Sequence, residues 1–226
     1  MSDGPIQSPV NPIPPVVMVI ALAIVLVEGI VSLGAAGILG GPGAIGWRIN
    51  AINDFALTPR VWDLMWEVGA FDLAYRFVTY PFVHGSFTHT AFALVLLLAL
   101  GKFVGDGLGG LAVAVVFATS TVLGGLAFVL LAPEQSILFG AYPAAYGLIG
   151  AFTWMLYVSY GRSGANQLQA FRLIGFLLAL QLIFAVLFGP DTSWIGDLGG
   201  FVAGFAVAPL AAPGGWAALV DRMRQR

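Results

Sequence analysis

Six stretches of this chain are apolar for about the length that a bilayer crossing demands, and they leave few folds open: 16–36, 82–104, 108–131, 142–160, 171–188 and 195–210. A crossing helix needs roughly 20 predominantly apolar residues, and a helix satisfies its own backbone N–H and C=O groups where there is no water to do so. The third and sixth stretches are rich in glycine, which suits helices whose axes approach closely. Composition agrees, with 59% hydrophobic and 9% charged residues, against about a quarter charged in soluble domains. The expected fold is an all-α membrane protein, a single six-helix bundle over 16–212, with a proline-rich leader at 1–15 and a basic tail at 213–226.

Several function classes drop out at once. There is no cysteine, so no disulfide framework and no thiolate metal or redox site. The two histidines, His84 and His89, are too few for a metal cluster, and neither a metal nor a cofactor is expected. A net charge of −2 argues against a nucleic-acid partner. The leader MSDGPIQSPVNPIPP lacks the basic start of a signal peptide and is broken repeatedly by proline.

The first connection, 37–80, is far longer than most loops of compact domains. Trp47, Trp62, Trp66 and Tyr75 alternate there with Arg48, Arg60 and Arg76. That mixture favours the membrane interface, so short helices lying at the bilayer surface beside the first and third spans are expected, in preference to a plain extramembrane loop. Lys102, Arg162, Arg172, Arg222, Arg224 and Arg226 fall on one side of the bundle, and only the three arginines of the long loop on the other. Both termini are therefore expected in the cytoplasm, and the tail DRMRQR beside anionic lipid.

Particular residues go further than this outline. Tyr75-Arg76 precedes the second span. HGSFTHTAFA opens that span with His84, His89 and Ala93. Gly140-Ala141-Tyr142-Pro143 opens the fourth span, with Tyr146 and Gly150 one and two turns on. GDLGGFVAGF in the sixth span carries Asp197, Gly200 and Gly204. In these positions the chain resembles the rhomboid family of intramembrane serine proteases. The resemblance implies a Trp-Arg pair at Tyr75-Arg76, a His-x4-His-x3-Asn pattern ending at Ala93, a Gly-x-Ser-Gly nucleophile turn whose serine position is Tyr142, and a catalytic histidine position at Asp197. Gly140, Tyr146, Gly150, Gly200 and Gly204 match the family's structural residues, and His89 its oxyanion histidine. A bacterial inner membrane is the expected location.

Measured against the chemistry that the resemblance implies, four parts are missing. A serine nucleophile needs a base within hydrogen-bond reach. Tyr142 offers a bulky phenol whose ordinary pKa is near 10, and Asp197 a carboxylate in place of an imidazole. Ala93 removes a side-chain donor worth about 3 kcal/mol to an oxyanion in other acyl-transfer enzymes. Pro143 removes a backbone N–H beside the nucleophile position.

Other hydroxyls are Ser86, Ser120, Ser136 and Ser193. Ser86, three residues before His89, reads more simply as a helix cap than as a nucleophile. His89 itself reads as an interfacial residue satisfied by a loop carbonyl. Asp197 shares a helix face with Gly200 and Gly204 and points into the bundle, where Tyr142 is its expected hydrogen-bond partner; hydration from the non-cytoplasmic side is the alternative. Glu28, a second intramembrane acid, is expected to hydrogen-bond a neighbouring span.

The function expected is that of a non-proteolytic rhomboid-like protein that binds transmembrane clients or serves as a subunit of a membrane complex, with Tyr142, Asp197, His84, His89, Arg76 and Glu28 as candidate structural or client-binding residues. The alternatives are an active protease with an atypical catalytic arrangement and a small transporter or channel with Glu28 and Asp197 as relay groups. The transporter reading is thin, because neither acid has an evident basic partner within the membrane.

Overall fold

The computed structural model describes residues 12–188 and 191–215, and the regular elements among them are helical. Helix α1 (Pro15–Ala35) starts on a proline, whose missing N–H is harmless in a first turn, and the chain leaves it at Gly37 with a φ of 72°. The long loop folds into short helices, as expected: α2 (Trp47–Phe55), α3 (Pro59–Glu67) and α4 (Arg76–Thr79), joined by 3-10 turns at Gly41–Gly46, Phe71–Tyr75 and Tyr80–Phe82. These lie against α1 and the third long helix. In α3, Val61 and Met65 face inward while Trp66 is 63% exposed.

The second long helix, α5 (Phe87–Leu108), begins later than the apolar stretch at 82 predicts. Pro81 sits in a 3-10 turn, and Ser86 caps α5 by accepting a hydrogen bond from the His89 N–H at 3.1 Å. Gly109, with a φ of 94°, is the whole connection to α6 (Gly110–Leu131). Then follow α7 (Tyr142–Arg162), α8 (Arg172–Phe188) and α9 (Trp194–Ala211). The leader and tail fall largely outside the described residues.

Among the described residues four helices are long and apolar enough to cross a membrane: α1, α5, α6 and α9. The six-span expectation also needed α7 and α8. α7 is as long, but it carries Tyr142, Pro143, Tyr146, Thr153 and Arg162, and its first half is buried by neighbouring helices instead of lipid. α8 has 17 residues, which is short for a crossing.

α7 is the axis of the bundle, packed on α5, α6 and α9, while α1 leans on α5 and α6. Leu97, Val104, Val113, Val116, Leu148 and Ile149 are fully buried between them. The outer face of α1 exposes Met18, Val19, Leu22, Val25 and Leu26, an apolar surface suited to lipid. A second core lies under the long loop, where Leu57, Val61, Phe77 and Tyr80 pack on Phe128 and Val129 of α6 and on Leu138. Each such side chain contributes about 1.5–3 kcal/mol by its burial. Leu57 and Leu138 exchange backbone hydrogen bonds of 2.9 and 2.8 Å, tying the loop to the segment that leads into α7.

Candidate functional site

The segment entering α7 is held open by a glycine. Gly140 has a φ of 94°, and a Cβ there would lie 2.9 Å from Cε1 of His89, so any other residue is both strained and crowded. This turn spends two of its backbone donors on the scaffold. Gly140 N–H donates to the Tyr80 carbonyl at 2.9 Å, Ala141 N–H donates to Nε2 of His84 at 3.3 Å, and Pro143 has none. Tyr80 is fully buried, its hydroxyl donates to the Thr121 carbonyl at 2.8 Å, and burial, with Asp197 as a lesser cause, pushes its phenol well above the ordinary range. His84 is 2% exposed; burial first, and then the neighbouring His89, lower its pKa to about 4. It is thus a neutral ring whose free lone pair accepts from Ala141.

Tyr142 is the first residue of α7, and its ring stacks on His89 at 4.8 Å between centroids with an interplanar angle of 17°. Its hydroxyl donates to the backbone carbonyl of His89 at 3.2 Å. His89 is edge-on to His84 and to Phe139, and its Nδ1 accepts from the Gly85 N–H at 3.3 Å. The expected loop carbonyl is therefore not its partner; an N–H is, because the ring turns an acceptor nitrogen toward the cap of its own helix.

Asp197 lies in the first turn of α9, buried as expected, but the expected bond to Tyr142 is not formed. Its Oδ2 accepts from Nε2 of Gln181 on α8 at 2.8 Å. The stacking of Tyr142 on His89 turns the phenol toward α5, and Gln181 takes its place. Tyr142→Phe should therefore cost only about 1 kcal/mol in unfolding experiments in detergent, the net worth of one ordinary hydrogen bond. Its effect should add to that of Asp197→Leu in a double-mutant cycle; a coupling above about 1 kcal/mol would restore the direct pair.

Tyr142, His89, Asp197 and Gln181 share one pocket of about 480 Å³ between the starts of α7 and α9. Below it α7 and α9 touch backbone to backbone. A Cβ on Gly200 would land on the Pro143 carbonyl, one on Gly204 on the Gly147 carbonyl, and one on Gly150 on the Phe201 carbonyl. Ala93 and Tyr146 are buried in the central core.

Of the remaining hydroxyls two are engaged elsewhere, and the third, Ser120, is sealed in the core with its Oγ unpaired. Ser136 accepts from Thr192 at 2.9 Å, Ser193 donates to Asp191 at 2.7 Å, and fully buried Ser120 packs on Gly147. Among the described residues no serine hydroxyl is hydrogen-bonded to an imidazole ring.

A second polar cluster lies where the long loop meets α1. Glu28 receives Arg48 in a two-pronged pair, Nη1 to Oε2 at 2.9 Å and Nη2 to Oε1 at 2.7 Å, together with Ser32 and, from α5, Thr90 at 2.7 Å. Arg48 Nη1 also donates to the His84 carbonyl at 2.8 Å. Thr90 meets the expectation of a neighbouring-span partner, whereas Arg48 corrects the reading of an acid without a base. Glu28 holds the Arg48 guanidinium firmly in its charged form. Arg76 instead donates to the Ala56 carbonyl at 3.0 Å beneath the Tyr75 ring, and so pins the loop to itself. Sequence reasoning missed Arg48 and Gln181. The signal for the first was present, since a buried acid demands a base and Arg48 is the next one along the chain.

With this geometry in place, a family model described as "Rhomboid domain" matches residues 72–213. The chain is similar to the "Rhomboid-like protease 3" of Toxoplasma gondii, 28% identical over 133 residues, 59% of this chain and 50% of that protein. It is also similar to the "Rhomboid-like protease 1" of the same organism, 25% identical over 136 residues, 60% of this chain and 46% of that protein. The chain spans about half the length of these curated relatives.

Proposed function

Because this chain belongs to the rhomboid family of integral membrane proteins, we infer that it is a member that does not cut peptide bonds but holds transmembrane segments of other proteins, alone or as a subunit of a membrane complex. One observation carries the reading. At the turn where the family's chemistry is expected, the donors and the nucleophile are committed elsewhere: Gly140 and Ala141 N–H to Tyr80 and His84, and the Tyr142 hydroxyl to a backbone carbonyl. An oxyanion needs free, preorganised donors, and a nucleophile needs a base; this turn has given two of its N–H groups to the scaffold, lacks a third at Pro143, and has no base hydrogen-bonded to the Tyr142 hydroxyl. In this reading α7 and α8 complete six crossings, both termini face the cytoplasm, and the pocket opens on the other side, in a bacterial inner membrane.

The test is direct. Purified protein in detergent, given single-span substrates that active rhomboids cut, should yield no product, and a fluorophosphonate probe should leave it unlabelled. Cleavage that persists in Tyr142→Phe and Asp197→Asn variants would overturn the reading and direct the search to Ser193, which lines the pocket.

A further inference from the structure

The pocket between the starts of α7 and α9 holds acceptors without donors. Asp197 is 2% exposed, and with Oδ2 taken by Gln181 its Oδ1 is buried without a hydrogen-bond partner; the Oε1 of Gln181 is in the same state. Buried polar groups in native proteins are paired, so two adjacent side chains that each leave an acceptor oxygen unpaired mark a place for a donor from outside. Asp191 adds a second carboxylate at the rim, held by Ser193 N–H and Oγ at 2.9 and 2.7 Å, and among the described residues no lysine or arginine lines the cavity. A neutral donor would fill the hydrogen bonds, and a cationic one would in addition be drawn by the Asp191 carboxylate at the rim and pair with the charged form of Asp197. The neighbouring wall is apolar, formed by Ile137, Leu138 and Phe139.

We propose that this pocket receives a lysine side chain of a transmembrane client. The ammonium bridges Asp197 Oδ1 and Gln181 Oε1, and the methylene stem runs along Leu138 and Phe139, as long cationic side chains lie on apolar surface with the charge placed among polar groups. The aromatic faces of Tyr142 and Phe139 add to the attraction. A cavity of about 480 Å³ suits a guest of this size. The proposal rests on the client-binding reading and names what the client must carry.

The experiment uses the full chain in phosphatidylglycerol nanodiscs and two acetylated single-span peptides, identical except for lysine or norleucine near the outer end. Acetylation removes the competing terminal ammonium. Binding is read by energy transfer from the tryptophans to a dye on the peptide. The lysine peptide should bind about tenfold to a hundredfold more tightly, the range of one hydrogen bond to a charged group. Asp197→Asn should remove the difference, and so should Ile137→Trp, which fills the pocket without touching the carboxylate.

Equal binding of both peptides would overturn the lysine assignment and leave client binding standing. Failure to bind either would end the client reading and the proposal with it. Loss of the lysine peptide's advantage when phosphatidylethanolamine is added would assign the pocket to a lipid amine and overturn the proposal.

Discussion

Arg48→Met should destabilise the bundle by about 3–5 kcal/mol, the loss seen when one partner of a buried ion pair is removed and the other is stranded. The Glu28 side chain is 7% exposed and that of Arg48 18%, so water screens little of the damage. Ser32 and Thr90 would still donate to Glu28, but neither carries charge. The loop would also lose the Arg48 bond to the His84 carbonyl, and with it part of the support for the turn below Ala141. Glu28→Leu combined with Arg48→Met should recover much of the loss, because well-packed apolar pairs often replace buried ion pairs without penalty. Equilibrium unfolding in mixed micelles measures both variants. A loss below about 1 kcal/mol for Arg48→Met would show that the pair behaves as an exposed salt bridge.

Gly204→Val should cost about 3 kcal/mol or more, the upper end for overpacking, because the new side chain meets backbone and no rotamer change relieves it. The contact is the Gly147 carbonyl, and the same obstruction recurs along the seam at Gly200 and Gly150. α7 and α9 would have to separate, opening the pocket that lies at their upper ends. Gly175→Ala on α8 provides the contrast. Nothing lies within 4 Å of its Cβ position, and alanine should be neutral or stabilising there by up to about 1 kcal/mol through helix propensity. Similar unfolding midpoints for Gly204→Val and Gly175→Ala would mean that the helix seam is not as close as its geometry indicates.

These two sites differ in how far they can be read in the chain alone. The spacing of Gly200 and Gly204 places them on one helix face, and small residues at that spacing indicate close helix contact whatever the partner. Glu28 could be recognised as needing a partner, but Arg48 lies 20 residues away, and only the folding of the long loop back over α1 brings the two together. Tyr142 and Asp197 form the opposite case. Correspondence to neighbouring family positions suggested a bond, yet the Tyr142 ring has a choice of surfaces, and the flat face of His89 takes it. Gln181 was invisible for the same reason: it sits in a short, apolar helix with nothing local to mark it, and α8 must pack beside α9 before its amide reaches Asp197.

By itself, then, the sequence determined what depends on near neighbours along the chain. It settled the helical membrane character, the cap at Ser86 and the glycine seam, because apolar length, capping and helix periodicity act over a few residues. Tertiary structure alone decided which donors meet which acceptors. Those choices turn on angstrom-scale placement of residues far apart in the chain, and a buried polar group takes whichever partner the packing brings within about 3 Å.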